Sequence, residues 1–264
     1  MKLCVSNIAW EQTQDDEVYG KLCKMGYEGL EIAPTRIFSE RPYESLKAAT
    51  EWAKRIYELY GLRIPSIQSI WFRRSEKLFG SCKERGILTD YTKKAVEFAA
   101  AVGAGNLVFG CPSSRDGYKG KQENYEIALR FFEEVGEFAA DCGTCIGIEA
   151  NPEIYHTDFI NRTTEAVSFV RAVNRKGIRL NLDTAALIYY EEEDRIVEDA
   201  AGLASHVQIS EPGMVRISQH KLHKELRDCL DKAGYDGYIS LEMSNKEPLD
   251  MVLGSMSYIK DVFG

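Results

Sequence analysis

Glu149, Asp183, Gln208 and Glu242 stand in or at the end of short runs rich in branched apolar residues. Ile146 and Ile148, Leu180 and Leu182, Val207 and Ile209, and Ile239 and Leu241 are their apolar neighbours. On a strand, successive side chains face opposite sides. If the apolar set faces a shell of helices, the polar set faces inward together. Glu31, between Leu30 and Ile32, shares that parity. Carboxylates so gathered repel one another and resist ionisation unless something positive sits among them. These runs supply few lysines or arginines, so a divalent cation held by oxygen is the simpler neutraliser. Carboxylate and amide oxygens suit Mg2+ or Mn2+, whereas zinc favours nitrogen and sulfur. Zinc and cobalt therefore rank behind. Acidic strand ends can also be solvated, or cap the helices that follow, and that alternative stays open for any one of these residues. Four of one parity on strands five to eight favour the cation.

Eight strand-like segments carry these residues, at 3–8, 29–33, 64–70, 106–109, 144–149, 178–183, 206–210 and 238–242. Helical patterns separate them. Tyr91, Ala95, Phe98, Ala99 and Val102 form one apolar stripe, and Ala166, Phe169, Val170 and Val173 another. Gly26, Gly61, Gly103, Gly143, Gly177 and Gly234 sit where helices should stop before strands. Eight such units in 264 residues run to about 33 residues each, a natural strand–helix period. The fold class is α/β, a single (β/α)8 TIM barrel, as one domain over residues 1–264. A doubly wound open sheet is the alternative, but it carries a glycine-rich turn after its first strand. Ser6-Asn7-Ile8-Ala9-Trp10 occupies that place here. The acidic run Glu191-Glu192-Glu193-Asp194 reads as a solvated helix start.

The 41 acidic against 33 basic residues give a net charge of −8, which argues against a nucleic-acid partner. No apolar run is long enough for a membrane span. The segment Met1-Lys2-Leu3-Cys4-Val5-Ser6-Asn7 enters a strand at once, without the profile of a signal peptide. A cytoplasmic location with reduced thiols is the expectation for the seven cysteines. Cys142-Gly143-Thr144-Cys145 lies between a helix and a strand, with no partner ligands at zinc spacing. It reads as a helix–strand junction.

Several segments together resemble the xylose isomerase-like superfamily of sugar phosphate isomerases and epimerases. They are Ile148-Glu149-Ala150-Asn151-Pro152, Tyr155, Thr157-Asp158-Phe159-Ile160, Leu182-Asp183-Thr184, His206-Val207-Gln208-Ile209-Ser210-Glu211-Pro212 and Ser240-Leu241-Glu242-Met243. Leu107-Val108-Phe109-Gly110-Cys111-Pro112 and Gly29-Leu30-Glu31-Ile32-Ala33-Pro34 are similar to the superfamily's strand ends. The resemblance spans essentially the whole chain. It implies one divalent metal held by Glu149, Asp183, Gln208 and Glu242, with Glu149 and Glu242 also acting as acid and base. In ketose 3-epimerase relatives the third ligand is histidine. Members like hydroxypyruvate isomerase carry glutamine there, and His206 matches the histidine that is not the ligand. Two positions depart from many relatives. Ala186 stands where a histidine touches substrate, and Met214 stands where an arginine does, with Arg216 two positions late.

The implied activity is a metal-dependent isomerase or epimerase of a sugar or sugar derivative. A cation on a carbonyl and its neighbouring hydroxyl acidifies the α C–H and stabilises the enediolate. Two glutamates then move the proton. The rivals are an inosose dehydratase-like lyase on the same scaffold and a non-catalytic, metal-containing sugar-binding barrel. An endonuclease IV-like site would need a histidine-rich zinc cluster, and the chain has four histidines. Substrate-binding candidates are Gln68 and Trp71 at the end of strand three, Arg115 after strand four, and Glu211 and His220 after strand seven. Trp71 can equally be core, Arg115 solvated and His220 a surface or capping residue. The partner is a small sugar, and the resemblance leaves room for a homo-oligomer.

Overall fold

A computed structural model describes residues 1–264, the side chain of Asp194 excepted. Strands and helices follow one another as β1 (Lys2–Ser6), α1 (Asp15–Met25), β2 (Gly29–Glu31), α2 (Pro34–Ile37), α3 (Leu46–Tyr60), β3 (Ser66–Ile67), α4 (Cys82–Val102), β4 (Asn106–Phe109), α5 (Gln122–Asp141), β5 (Cys145–Glu149), α6 (Thr163–Val173), β6 (Ile178–Asp183), α7 (Thr184–Tyr190), α8 (Asp194–Ala201), β7 (Ala204–Ile209), α9 (Lys221–Lys232), β8 (Tyr238–Leu241) and α10 (Leu249–Phe263). The strands pair in parallel in the order β2-β1-β8-β7-β6-β5-β4-β3. Isolated bridges Gly29 to Arg63 and Ile32 to Ile67 bring the two ends together. The fold is a nearly closed (β/α)8 barrel.

The apolar set of each strand packs outward and the polar set inward, and both are buried. Ile146, Ile148, Leu180, Leu182, Val207, Ile209, Ile239 and Leu241 are buried against the helices. Each such side chain contributes about 1.5–3 kcal/mol by leaving water. The helices answer with their stripes: Ala95, Phe98, Ala99 and Val102 on α4, and Ala166, Phe169, Val170 and Val173 on α6, are all buried.

The lumen differs from the branched aliphatic filling common in such barrels. Ser6, Glu31, Ser66, Asn106, Asn181, His206, Gln208 and Ser240 are buried there. Glu31 reaches from β2 to β7, where its Oε2 lies 2.6 Å from His206 Nε2. Its Oε1 accepts from Gln208 Nε2 at 2.7 Å. Asn106 Nδ2 donates to Ser66 Oγ at 3.0 Å and Asn106 Oδ1 accepts from Ser205 Oγ at 2.7 Å. Gly147 on β5 is required by this layer, because a Cβ there would stand 2.5 Å from Asn106 Oδ1.

Three details depart from the sequence reading. The third strand is only Ser66–Ile67, because Pro65 lacks an N–H and Ser69 turns the chain at φ 55°. Two helices, α7 and α8, follow β6 in place of one, with Glu191 breaking the chain at φ 48°. Gly26, Gly61, Gly103, Gly143 and Gly234 take left-handed φ as expected, but α6 ends on Asn174 at φ 47°, not at Gly177. Cys142 and Cys145 are free thiols at the α5–β5 junction. No helix among the described residues is long and apolar enough to cross a membrane.

Candidate active site at the strand C-termini

A cavity of about 160 Å3 opens at the C-terminal ends of the strands. Glu149 ends β5, Asp183 ends β6 and Glu242 follows β8, and all three line it. Each is buried, 6–8% exposed. Strand order separates the two glutamates by β6 and β7, so they approach the cavity from different sides, with Asp183 between.

Local contacts set each carboxylate. Asn151 Nδ2 donates to Glu149 Oε1 at 2.7 Å. Gly110 leaves the space that Glu149 occupies, since a Cβ there would stand 2.6 Å from Glu149 Oε2. Asp183 Oδ1 accepts from the Ala185 N–H at 2.7 Å, capping α7, and from the Ser210 hydroxyl. Thr184 and Ser210 exchange hydrogen bonds of 2.8 and 2.9 Å, which stitch the ends of β6 and β7. Burial and the neighbouring Asp183 push the Glu149 carboxyl above the usual range. Burial raises Asp183 as well, against the hydrogen bonds it accepts. Burial, Asp183 and Glu149 together drive Glu242 well upward. Fully ionised, the cluster would hold more negative charge than its surroundings neutralise, and the carboxyls therefore hold their protons more tightly.

The other candidates separate into two groups. Gln68 lines the cavity, and its amide reaches Ser6 Oγ and, at 3.3 Å, Glu31 Oε1. Gln208 lies off the cavity wall, its Nε2 on Glu31 and its Oε1 accepting from Asn181 Nδ2. Trp71 points away from the cavity into the core. Its Nε1 donates to Thr92 Oγ1 at 2.8 Å and its ring packs edge-on against Phe109 and Phe131. Arg115 is fully buried, not solvated, because the short turn Pro112–Ser114 folds it back inside. Its Nη1 donates to the Glu149 carbonyl at 2.8 Å, and its guanidinium lies over the Phe109 ring. Glu211 and His220 pair with each other off the cavity wall, at 2.8 Å, and Glu211 Oε1 also accepts from the Ser218 N–H. Those two residues order the loop after β7.

Asn151, Tyr155, Ser210 and Gly110 belong to the cavity but were not singled out for it by residue type. Their signal was position, one to six residues past a strand end, together with membership of the segments that carry the family resemblance. Contacts between loops roof the site. Tyr155 Oη accepts from the Gly213 N–H at 2.8 Å, and the Met214 carbonyl accepts from Ser244 N–H at 2.9 Å. The Asp158 carboxylate accepts from the N–H groups of Tyr118 and Lys119 at 2.9 and 2.8 Å.

Among the described residues, no three His, Cys, Asp or Glu side chains are gathered as a finished ligand set. The donor chemistry nevertheless fits a hard divalent cation. The three cavity carboxylates offer only oxygen, and their repulsion is what such an ion relieves.

A nearly closed barrel with a carboxylate cluster at its strand C-termini defines a class of TIM-barrel site. The sequence profile of the xylose isomerase-like TIM barrels matches residues 21–262, and the chain belongs to that family. D-psicose 3-epimerase from Ruminiclostridium cellulolyticum is 26% identical over 253 residues, covering 88% of this chain and 80% of that protein. The crystal structure of D-psicose 3-epimerase with D-tagatose from Clostridium cellulolyticum H10 superposes with a TM-score of 0.81 at 17% identity, covering 100% of this chain and 99% of that one. The apo 3-keto-D-glucoside 4-epimerase from E. coli gives 0.77 at 19% identity, covering 99% of each chain. At these identities the structural likeness speaks for the fold.

Proposed function

We propose that the chain is a divalent metal-dependent isomerase or epimerase of a sugar or sugar derivative. The observation that carries this reading is the convergence of Glu149, Asp183 and Glu242 on one buried cavity with their proton affinities raised. The sequence relationship to a D-psicose 3-epimerase supports it. Glu149, Asp183 and Glu242 would hold Mn2+ or Mg2+; Gln208, the fourth donor that the family resemblance implies, has its amide engaged by Asn181 and Glu31 and would serve only by turning from those bonds. When bound, the cation supplies Lewis-acid polarisation of a sugar carbonyl and its neighbouring hydroxyl.

The chain's residues then handle the proton. Glu149, steadied by Asn151 and by the space at Gly110, takes or returns it on one side of the substrate. Glu242 does so from the other side. Removal by one glutamate and return by the other inverts the carbon, which is epimerisation. Return to the adjacent carbon is aldose–ketose isomerisation. Tyr155, Met214 and the loops they tie together limit water at the site.

Incubation of Mn2+-loaded protein with ketoses, aldoses and keto-inositols in D2O, followed by NMR, tests the reading. Exchange at an α carbon with isomer formation is expected. Loss of water from the substrate would instead establish the lyase. Binding without exchange would establish a sugar-binding barrel. Glu149→Gln and Glu242→Gln should each lower exchange by at least about 100-fold. Wild-type exchange in either variant removes the acid/base assignment. Metal analysis of purified protein that finds a strong preference for zinc over Mn2+ counts against the ligand set.

A further inference from the structure

We propose that Tyr155 is a substrate-binding residue, donating its hydroxyl proton to an oxygen of the sugar held in the cavity. This assignment rests on the sugar isomerase reading above. Three carboxylates make the cavity rich in acceptors, whereas a sugar bound there also needs donors for its carbonyl and hydroxyl oxygens. Most side-chain donors on the wall are already committed. Gln68 gives its amide protons to Ser6 and Glu31, Asn151 to Glu149 and the Ala150 carbonyl, and Ser210 its proton to Asp183. Ser69 Oγ faces Gln68 Oε1 at 3.4 Å, and the Cys111 thiol interacts with the Trp71 backbone.

The Tyr155 hydroxyl stands apart. Its oxygen accepts the Gly213 N–H at 2.8 Å, which holds the ring across the mouth between the loops after β5 and β7. Its own proton has no acceptor among the described residues. The hydroxyl is therefore oriented by the bond it accepts and free in the bond it donates. Burial raises its pKa to about 12, so the proton stays on the oxygen at neutral pH. Phe at this position keeps the ring and removes the donor.

The test uses the full chain loaded with Mn2+, with D-fructose, D-tagatose and the monodeoxy-D-fructoses as probes. Affinity is read by ligand-observed NMR and turnover by exchange in D2O. Tyr155→Phe should bind the parent ketose about five- to tenfold more weakly, the scale of one neutral hydrogen bond. One monodeoxy sugar should lose that factor with wild type and lose nothing further with Tyr155→Phe. Such non-additivity identifies the partner oxygen, and a loop effect alone would not produce it. Melting curves check that the variant folds. If wild type binds and exchanges ketose and Tyr155→Phe matches it within twofold, the assignment of Tyr155 is overturned while the isomerase reading stands. Equal losses on the parent and every deoxy sugar also overturn it. If wild type neither binds nor exchanges these sugars, both fall together.

Discussion

Gly110 is the smallest residue in the cavity wall and one of the most constrained. The Glu149 carboxylate fills the volume its side chain would take. A methyl at 2.6 Å from Oε2 cannot be absorbed by a rigid strand end, so the carboxylate must swing away. Gly110→Ala should therefore lower α-proton exchange about 10- to 100-fold while circular dichroism still reports a folded barrel. Unchanged exchange would show that Glu149 does not act from the position seen here. The three carboxylates were legible in the sequence because parity alone places them. Trp71, Arg115, Glu211 and His220 lie off the cavity wall, Trp71 in the core that the sequence left open for it, because loop side chains follow turns that residue type does not encode. Arg115 illustrates this: a guanidinium after strand four looks solvated, yet the turn at Pro112–Ser114 buries it against Phe109 and the Glu149 carbonyl. Gln208 was placed on the inward face correctly by parity, but its hydrogen bonds to Glu31 and Asn181 depend on side chains from two other strands.

At the scale of elements, every expected strand segment contains a strand of the barrel, since apolar residues recur at every second position there; burial itself is nearly continuous, because the helices cover one face and the lumen encloses the other. Element ends were less legible. The missing N–H of Pro65 and the positive φ of Ser69 shorten β3, and α7 is an additional helix, ended by the left-handed turn at Glu191 ahead of α8, whose start the acidic run marks. The acidic run there is more than a solvated helix start. Glu192 accepts from the N–H groups of Thr163 and Thr164 at 2.8 and 3.1 Å, the first turn of α6. A carboxylate on these otherwise unpaired donors stabilises a helix N-terminus by about 1 kcal/mol. Glu192→Ala should lower the free energy of unfolding by about that amount, read from urea denaturation at fixed slope. A variant as stable as wild type would mean that water replaces the carboxylate at no cost. The same helix follows the loop that carries Tyr155, so its anchoring supports one wall of the mouth.

For the whole molecule, the net charge of −8 matters less than where part of it lies. Surface carboxylates are screened by water and salt, whereas Glu149, Asp183 and Glu242 face one another out of solvent. All three bind protons more tightly in the folded chain than in the unfolded one. The folded state then carries more protons than the unfolded state from the ordinary carboxylate range upward, and the slope of stability against pH is negative there. Their contribution is fully favourable below that range and fades as pH rises through the elevated folded values. A divalent cation that binds only the folded state stabilises by mass action, and it binds best when the carboxylates are ionised. Metal-stripped protein should therefore lose stability between pH 5.5 and 8 more steeply than Glu242→Gln, which lacks one of the titrating groups. Mn2+ should raise the melting temperature of wild type more at pH 8 than at pH 5.5. Melting curves of both proteins at the two pH values, with and without Mn2+, decide it. Parallel slopes for wild type and variant, with no added effect of Mn2+ at the higher pH, would show that the mouth is neither charge-strained nor a cation site.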